Sequence, residues 1–217
     1  MVLYKGTDFI ETLERRLYDV GSTATSRQPS DRIAIIAIDD QSIGNIGRWP
    51  WPRDVHADLI DKLAGAKAKT IVHTAFFFEP QTDRGLEHIR KIKQALAQSG
   101  DNAGAQEAGR LIADAELALD TDAKLAASMQ RAGNVLVPSY FVLGEPQGKA
   151  DKPLTAAALK SAIDENNAFS TPSISTQQPI ELIGNAAAGI GHLNQLNDVD
   201  GAVRSEPMLV NYYGKAV

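Results

Sequence analysis

The sequence predicts an α/β protein with a three-layer-like core and a mainly parallel sheet. An unbroken apolar run at residues 33–38 is typical of a strand buried on both faces. Residues 54–63 carry their apolar side chains on one helical face, and the β-branched and aromatic run at residues 70–78 follows as a second buried strand. Strand, helix and strand in this order form a βαβ unit, which therefore begins the predicted sheet.

The chain divides into an N-terminal helix with its linker, residues 1–30, and a single α/β domain, residues 31–217. Apolar residues at helical spacing, Phe9, Ile10, Leu13 and Leu17, predict an amphipathic first helix. A helix this short is marginal alone, so we expect this apolar face to pack on the domain or on a partner copy.

Two segments interrupt the predicted sheet. Residues 86–120 read as a helical-hairpin insertion, and the proline-rich residues 144–185 as an irregular excursion with one helical patch. The remaining elements are a helix capped by Asp120 or Thr121, a strand at residues 135–142 with Pro138 at an edge or bulge, and short C-terminal antiparallel strands at residues 188–196 and 203–213.

Composition excludes several classes of protein. The 217 residues carry a net charge of -5 with a pI of about 5.4, so there is no basic field to bind nucleic acid. The absence of cysteine removes Cys-Zn sites, thiol catalysis and disulfides. No apolar run approaches the roughly 20 residues that cross a bilayer, so we expect a soluble polypeptide or a soluble piece of a membrane protein.

Asp39 and Asp40 end the first predicted strand, where ligands gather in open α/β sheets. With Glu79 as a third oxygen ligand they would form a divalent-metal site of a hydrolase or phosphatase. However, the chain has neither a phosphate-binding G-x-x-x-x-G-K-[ST] loop nor a G-x-S-x-G nucleophile elbow. The favoured interpretation is that the two acids cap a turn and the following helix.

The string Trp-Pro-Trp-Pro-Arg at positions 49–53 is stiff, because each proline fixes its own φ and restricts the residue before it. It could form a ligand lip of two indole rings with Arg53 as an anion hook. It could instead plug the end of the sheet, with Arg53 neutralising a partly buried Asp39 or Asp40, and this structural interpretation is favoured.

The histidines show no metal-binding pattern. His56, His73, His88 and His192 form neither an H-E-x-x-H motif nor a pair at i, i+4 spacing. His73 and His192 fall in predicted strands, which indicates core or hydrogen-bonded polar positions. The acids Asp198 and Asp200 precede Gly201 in what we interpret as a tight turn rather than a calcium loop.

Together these strings resemble the extracellular sensory domain of the second CHASE type, over most of the chain. The most specific matches are the Trp-Pro-Trp-Pro-Arg string with His56, and the Asp-Gly-Ala-Val-Arg ending at positions 200–204. The family often carries an acid in its second strand, where this chain has His73 and Thr74. The hairpin at residues 86–119 also looks longer than the family core.

The resemblance implies a periplasmic or extracellular sensor, tethered to the membrane in the full-length protein and coupled to a cytoplasmic kinase or nucleotide cyclase. It implies no catalytic residue, and we expect neither a cofactor nor a resident metal. The expected partners are a small-molecule or envelope stimulus and a second copy of the chain; a ligand-free dimerisation domain is the alternative to a ligand sensor. The candidate ligand-binding or structural residues are Asp39, Asp40, Trp49, Trp51, Arg53, His56, Glu79, Asn194, Asp200 and Arg204.

Overall fold

The computed structural model describes residues 2–24, 26, 28–81, 83–98, 103–164 and 169–217. These residues form two compact units, Met1–Trp49 and Pro50–Val217. No helix in the described part of the chain is both long and apolar enough to span a bilayer.

The first unit contains helix α1 (Val2–Thr23) and the shorter helix α2 (Asp40–Ile46). The predicted amphipathic N-terminal helix is confirmed. Its apolar side chains are exposed: Phe9, Ile10, Leu13 and Leu17.

The prediction of a buried strand at residues 33–38 is wrong. The segment forms no strand, and Ile33, Ile35, Ile36 and Ile38 are all exposed. A strand needs a neighbour that exchanges backbone hydrogen bonds with it, and the described residues of the first unit contain no second strand. The apolar run therefore does not begin the sheet.

The second unit carries the sheet and the remaining helices. Its helices are α3 (Arg53–Gly65), α4 (Arg84–Ala97), α5 (Ala103–Leu119), α6 (Thr121–Ala132), α7 (Ala156–Ser161) and α8 (Glu181–Ala186). Its strands are β1 (Ile71–Val72), β2 (Val135–Leu143), β3 (Ile163–Asp164), β4 (Thr171–Gln177), β5 (Gly189–His192), β6 (Leu196–Asn197), β7 (Val203–Ser205), β8 (Val210–Tyr212) and β9 (Lys215–Ala216).

Strand β2 is the centre of the sheet. Its first half pairs in parallel with β1 on one side and β5 on the other, and its second half pairs antiparallel with β4. The sheet continues through β8, β9 and β3. The parallel strands β1 and β2 are joined through helices α4, α5 and α6 and form a βαβ crossover. The sequence predicts this crossover one strand earlier, between residues 33–38 and 70–78. The α/β class and the helical hairpin α4–α5 are confirmed. Antiparallel C-terminal strands are present in the β6–β7 and β8–β9 pairs, whereas β5 and β8 also pair in parallel with β2 and β4.

Pro138 lies within this central strand. The carbonyl of Leu136 accepts a hydrogen bond from the His73 amide on the β1 side. Pro138, two residues later, presents its ring nitrogen to the same side, beyond the last residue of β1. The missing N–H is therefore tolerated. The prediction of an edge or a bulge at Pro138 is wrong, because β5 pairs alongside it and the register shift of β2 comes later, between Val142 and Leu143.

The core lies between the sheet and helices α3, α6 and α8. Alternate side chains of β2, Val135, Val137 and Phe141, are buried against it, together with Ile60 and Leu125. Helix α6 begins at the Asp120 cap, whose side chain accepts from the amide of Ala123, and ends at Gly133 in a left-handed conformation. This packing fixes the start of α3 beside the start of α6.

The excursion predicted at residues 144–185 is only partly irregular. Its helical patch is α7, but residues 171–177 form β4, which pairs with the second half of β2. The sequence did not predict this strand, because its proline and small polar residues weaken the alternating pattern that is typical of a strand.

Asn194, one of the candidate residues, completes the sheet where β5 ends. Its side-chain Oδ1 accepts from the Phe141 amide at 3.0 Å, and its Nδ2 donates to the Phe141 carbonyl at 2.6 Å. The side chain is buried and replaces a strand partner on the β5 side of β2.

We expect Asn194→Ala to lower the free energy of unfolding by about 2–4 kcal/mol, since each unpaired buried backbone group costs about 1–3 kcal/mol. Asn194→Asp should also destabilise at neutral pH, because a carboxylate cannot donate to the Phe141 carbonyl. Urea unfolding measures both. The control is the exposed Asn197→Ala, and equal effects at positions 194 and 197 would contradict the bridging role.

Candidate functional site

Arg53, the first residue of α3, is the centre of a buried polar cluster. Its amide donates to Oε1 of Gln81 at 2.7 Å, and its Nη2 donates to the Glu79 carbonyl at 3.1 Å. Its Nε lies 3.2 Å from Oδ1 of Asp122, and its guanidinium carbon lies 4.5 Å from the centre of the Phe77 ring. The guanidinium therefore contacts an anion, a carbonyl dipole and an aromatic face at once.

Asp122 lies in the first turn of α6 and is buried. While its Oδ1 meets Arg53, its Oδ2 accepts from the Gln81 amide at 2.7 Å. The Thr121 hydroxyl donates to Oε1 of Gln81 at 2.8 Å. One network of hydrogen bonds thus connects the starts of α3 and α6 with the segment that follows β1.

Trp51 and His56 lie beside this cluster and are buried at 6% and 3% exposure. The two ring centres are 6.3 Å apart. Nδ1 of His56 lies 3.1 Å from Nε2 of His73, and both imidazoles pack on Phe77 with ring centres 5.5 and 4.9 Å away. Burial is the main cause that lowers the pKa of each histidine to about 4, and the positive charge of Arg53 acts in the same direction. Both rings are therefore neutral near pH 7.

Asp39 and Asp40 have a different role from the one expected for a buried acid pair. Asp39 is the N-cap of α2: its Oδ1 accepts from the Ser42 amide at 2.8 Å, and the Ser42 hydroxyl accepts from the Asp39 amide. The Ser42 amide and the Ser42 hydroxyl both donate to the Asp39 carboxylate, and these two hydrogen bonds hold the pKa of the Asp39 carboxyl below its usual value. The prediction that at least one of the acids is buried is wrong, because both are exposed. The capping interpretation is confirmed for Asp39, on a helix that the sequence did not indicate.

The expected partner of Arg53 is corrected accordingly, since the buried anion that it meets is Asp122. Glu79 contributes its backbone carbonyl to Arg53, while its side chain is exposed. Among the described residues, no group of three or more histidine, aspartate or glutamate side chains could hold a metal ion.

The candidates Asp200 and Arg204 lie in the β6–β7 hairpin. Arg204 bridges the β6–β7 hairpin through contacts of 2.8 Å to Asp198 and Asp200, with its side chain 13% exposed. Gly201 in the turn has a positive φ of 82°, as predicted. Trp49 belongs to the first unit and is 36% exposed.

An open apolar groove of about 210 Å³ crosses the strands β1, β2 and β5. It is lined chiefly by Val72, Leu136, Pro138 and Leu193, with the two glycines of β5 on one side. Its volume is below the roughly 300 Å³ at which ligand pockets begin. His73 and His192 border the groove, but none of the ten candidate residues does.

The structure thus brings together Trp51, Arg53, His56 and the backbone of Glu79. The sequence did not indicate Gln81 and Asp122 as site residues, because the two contacts to Asp122 span 69 and 41 positions. The one available signal for Asp122 was its place in the first turn of a helix, which any acid favours.

We expect Arg53→Ala to lower the free energy of unfolding by about 3–5 kcal/mol, since it leaves the buried Asp122 carboxylate without its cation. Asp122→Asn should be similarly destabilising, and the double variant should cost much less than the sum of the two single variants. The control is Arg110→Ala, which removes an exposed ion pair with Glu107 and should leave the urea midpoint unchanged. Additive effects at positions 53 and 122 would contradict the pairing.

Comparison with known protein families shows which family the chain belongs to. The family model described as the CHASE2 domain matches residues 1–216, which is essentially the whole chain. No curated protein and no solved structure matches it. The chain therefore belongs to the CHASE2 family, whose members are extracellular sensory domains found in signalling receptors.

Proposed function

We propose that this chain is the extracytoplasmic sensor of a bacterial transmembrane receptor and passes a stimulus to a cytoplasmic kinase or nucleotide cyclase. The observation that carries the proposal is the family match over residues 1–216. The buried cluster at Arg53 adds support, since its charged and polar groups are arranged toward one another and link three parts of the second unit. The stimulus is a small molecule or a change in the cell envelope.

Such a sensor needs two conformations whose populations the stimulus changes. The start of α3 is suited to this role, because it follows directly on the stiff Trp-Pro-Trp-Pro string. It is held by long-range contacts to Gln81 and Asp122. A stimulus that alters these contacts changes the position of α3.

The proposal is tested on the receptor that carries this chain in its natural reading frame. Alkaline phosphatase fused after residue 217 should be active, because that enzyme matures only outside the cytoplasm. Deleting residues 31–217 or introducing Asp122→Asn should change kinase or cyclase output, whereas Arg110→Ala should not. An inactive fusion, or output unchanged by the deletion, would refute the proposal.

We further propose that the domain itself is not an enzyme. In the N-cap geometry the Asp39 carboxylate binds Ser42, and this accounts for the acid without catalysis. Phosphatase, esterase and nucleotidase substrates with Mg²⁺ or Mn²⁺ should therefore give no turnover above buffer. Turnover that disappears in Asp39→Asn would establish the metal-dependent hydrolase instead.

We also propose that two copies of the chain associate through α1. The exposed residues Ile10, Leu13, Leu17 and Val20 recur at spacings of three and four, the period of a two-helix coiled coil. Deleting residues 1–20 should reduce the dimeric fraction in sedimentation velocity, and Leu13→Ser with Leu17→Ser should do the same. The control is the polar-face variant Glu11→Gln, and an unchanged dimeric fraction after deletion would assign α1 a tethering role only.

A further inference from the structure

The hydrogen bond between His56 and His73 has a defined direction. The Ala75 amide donates to Nδ1 of His73 at 3.1 Å, so this nitrogen carries no proton. The neutral His73 ring then carries its proton on Nε2 and donates it to Nδ1 of His56, 3.1 Å away. In the folded protein both Nδ1 atoms are therefore hydrogen-bond acceptors.

A proton added to either ring disrupts this chain of hydrogen bonds. Protonation at Nδ1 of His56 would place its N–H against the N–H of His73. Protonation at Nδ1 of His73 would place an N–H against the Ala75 amide. Two donors facing each other at 3.1 Å cannot form a hydrogen bond. Protonation of His56 therefore requires the two rings to separate, and protonation of His73 requires its ring to move away from the Ala75 amide.

The surroundings oppose protonation until the pH is low. His56 packs on Trp51, and His56 and His73 both pack on Phe77; these aromatic rings offer no anion. Arg53 adds positive charge one turn before His56. Asp54 favours the charged form of His56 weakly, while the nearby Asp122 is already paired with Arg53. Burial and this positive charge keep the pKa of both rings near 4.

We propose that the His56–His73 pair is a proton-binding site whose occupation separates the start of α3 from the end of β1. The segment between residues 73 and 81 ends at the Glu79 carbonyl and Gln81, which hold Arg53. Displacement of His73 therefore also weakens the hydrogen bonds that Arg53 makes with Glu79 and Gln81. This inference rests on the proposed function, because an extracytoplasmic domain meets the pH of its surroundings, and it identifies acid as a stimulus.

The direction of the pH effect follows from linkage. The pKa of both histidines is about 4 in the folded chain and near the ordinary 6.5 when unfolded. Between these values the unfolded chain binds more protons, so the free energy of unfolding falls as the pH falls through this window. Above about pH 7 the pair adds no pH dependence.

The site is tested first on the 217-residue chain. Nitrogen NMR of the imidazoles should show a proton on Nε2 of His73 and none on Nδ1 near neutral pH, with His56 and His73 both titrating far below 6.5 and influencing each other. His73→Gln should remove more than half of the shift in urea midpoint between about pH 7 and pH 5. The control is the exposed His88→Gln, which should keep most of it. Titration of both rings near 6.5, or an unchanged shift in His73→Gln, would overturn the proposal. If His73→Gln does not fold, the NMR titration of the natural sequence is the deciding test.

The role of acid as a stimulus is tested on the receptor. Output should change between about pH 7 and pH 4.5 in the natural sequence, and the change should be lost in His73→Gln but kept in the exposed His88→Gln. If the two histidines titrate as described but the output does not depend on pH, acid is refuted as the stimulus and the sensor function is not affected. An inactive phosphatase fusion would refute the sensor function without altering the titration.

Discussion

The ion pair between Arg53 and Asp122 is the interaction on which the arrangement of the second unit depends most. Removing two charges from water costs several kcal/mol for each ion, and mutual attraction repays this only if the remaining hydrogen-bonding capacity is used. Here both carboxylate oxygens and two groups of the arginine are bonded. The starts of α3 and α6 and the residues around Gln81 therefore hold one another in place, and a shift of one exposes an uncompensated charge.

The same arginine connects the charged cluster with the neutral histidine pair. Its positive charge disfavours the imidazolium form of both His56 and His73, and its guanidinium and both imidazoles contact the single ring of Phe77. A change in the position of Arg53 alters the cost of protonating the histidines, and opening of the histidines alters the support of Arg53. Linkage makes this coupling reciprocal, which is the property that a sensor requires.

How far the sequence predicts the molecule depends on whether a feature is local. Helical periodicity and caps predicted α1, α3 and α6 correctly, since these signals lie within a few residues of one another. Strands of two or three residues, such as β1 and β8, leave almost no periodic signal, and the apolar run at residues 33–38 indicated hydrophobicity without naming a pairing partner. At the site, the stiff Trp-Pro-Trp-Pro-Arg string pointed to Arg53 and to a buried anion. The identity of that anion depends on how α6 packs against α3, which no local pattern encodes.

His73 is the neighbour that affects the charge state of His56 in this chain. The second-strand acid that the resemblance leads us to expect falls at the pair His73 and Thr74, and neither residue is acidic in this chain. A carboxylate at that pair, within reach of His56, would accept a hydrogen bond from the His56 imidazolium and stabilise it, and it would also attract Arg53. With His73 in that place, the neighbour of His56 is a second neutral base and the imidazolium form is disfavoured instead. The imidazole of His73 therefore acts on the charge of His56 in the opposite direction to a carboxylate at that pair, while Arg53 keeps Asp122 as its buried anion.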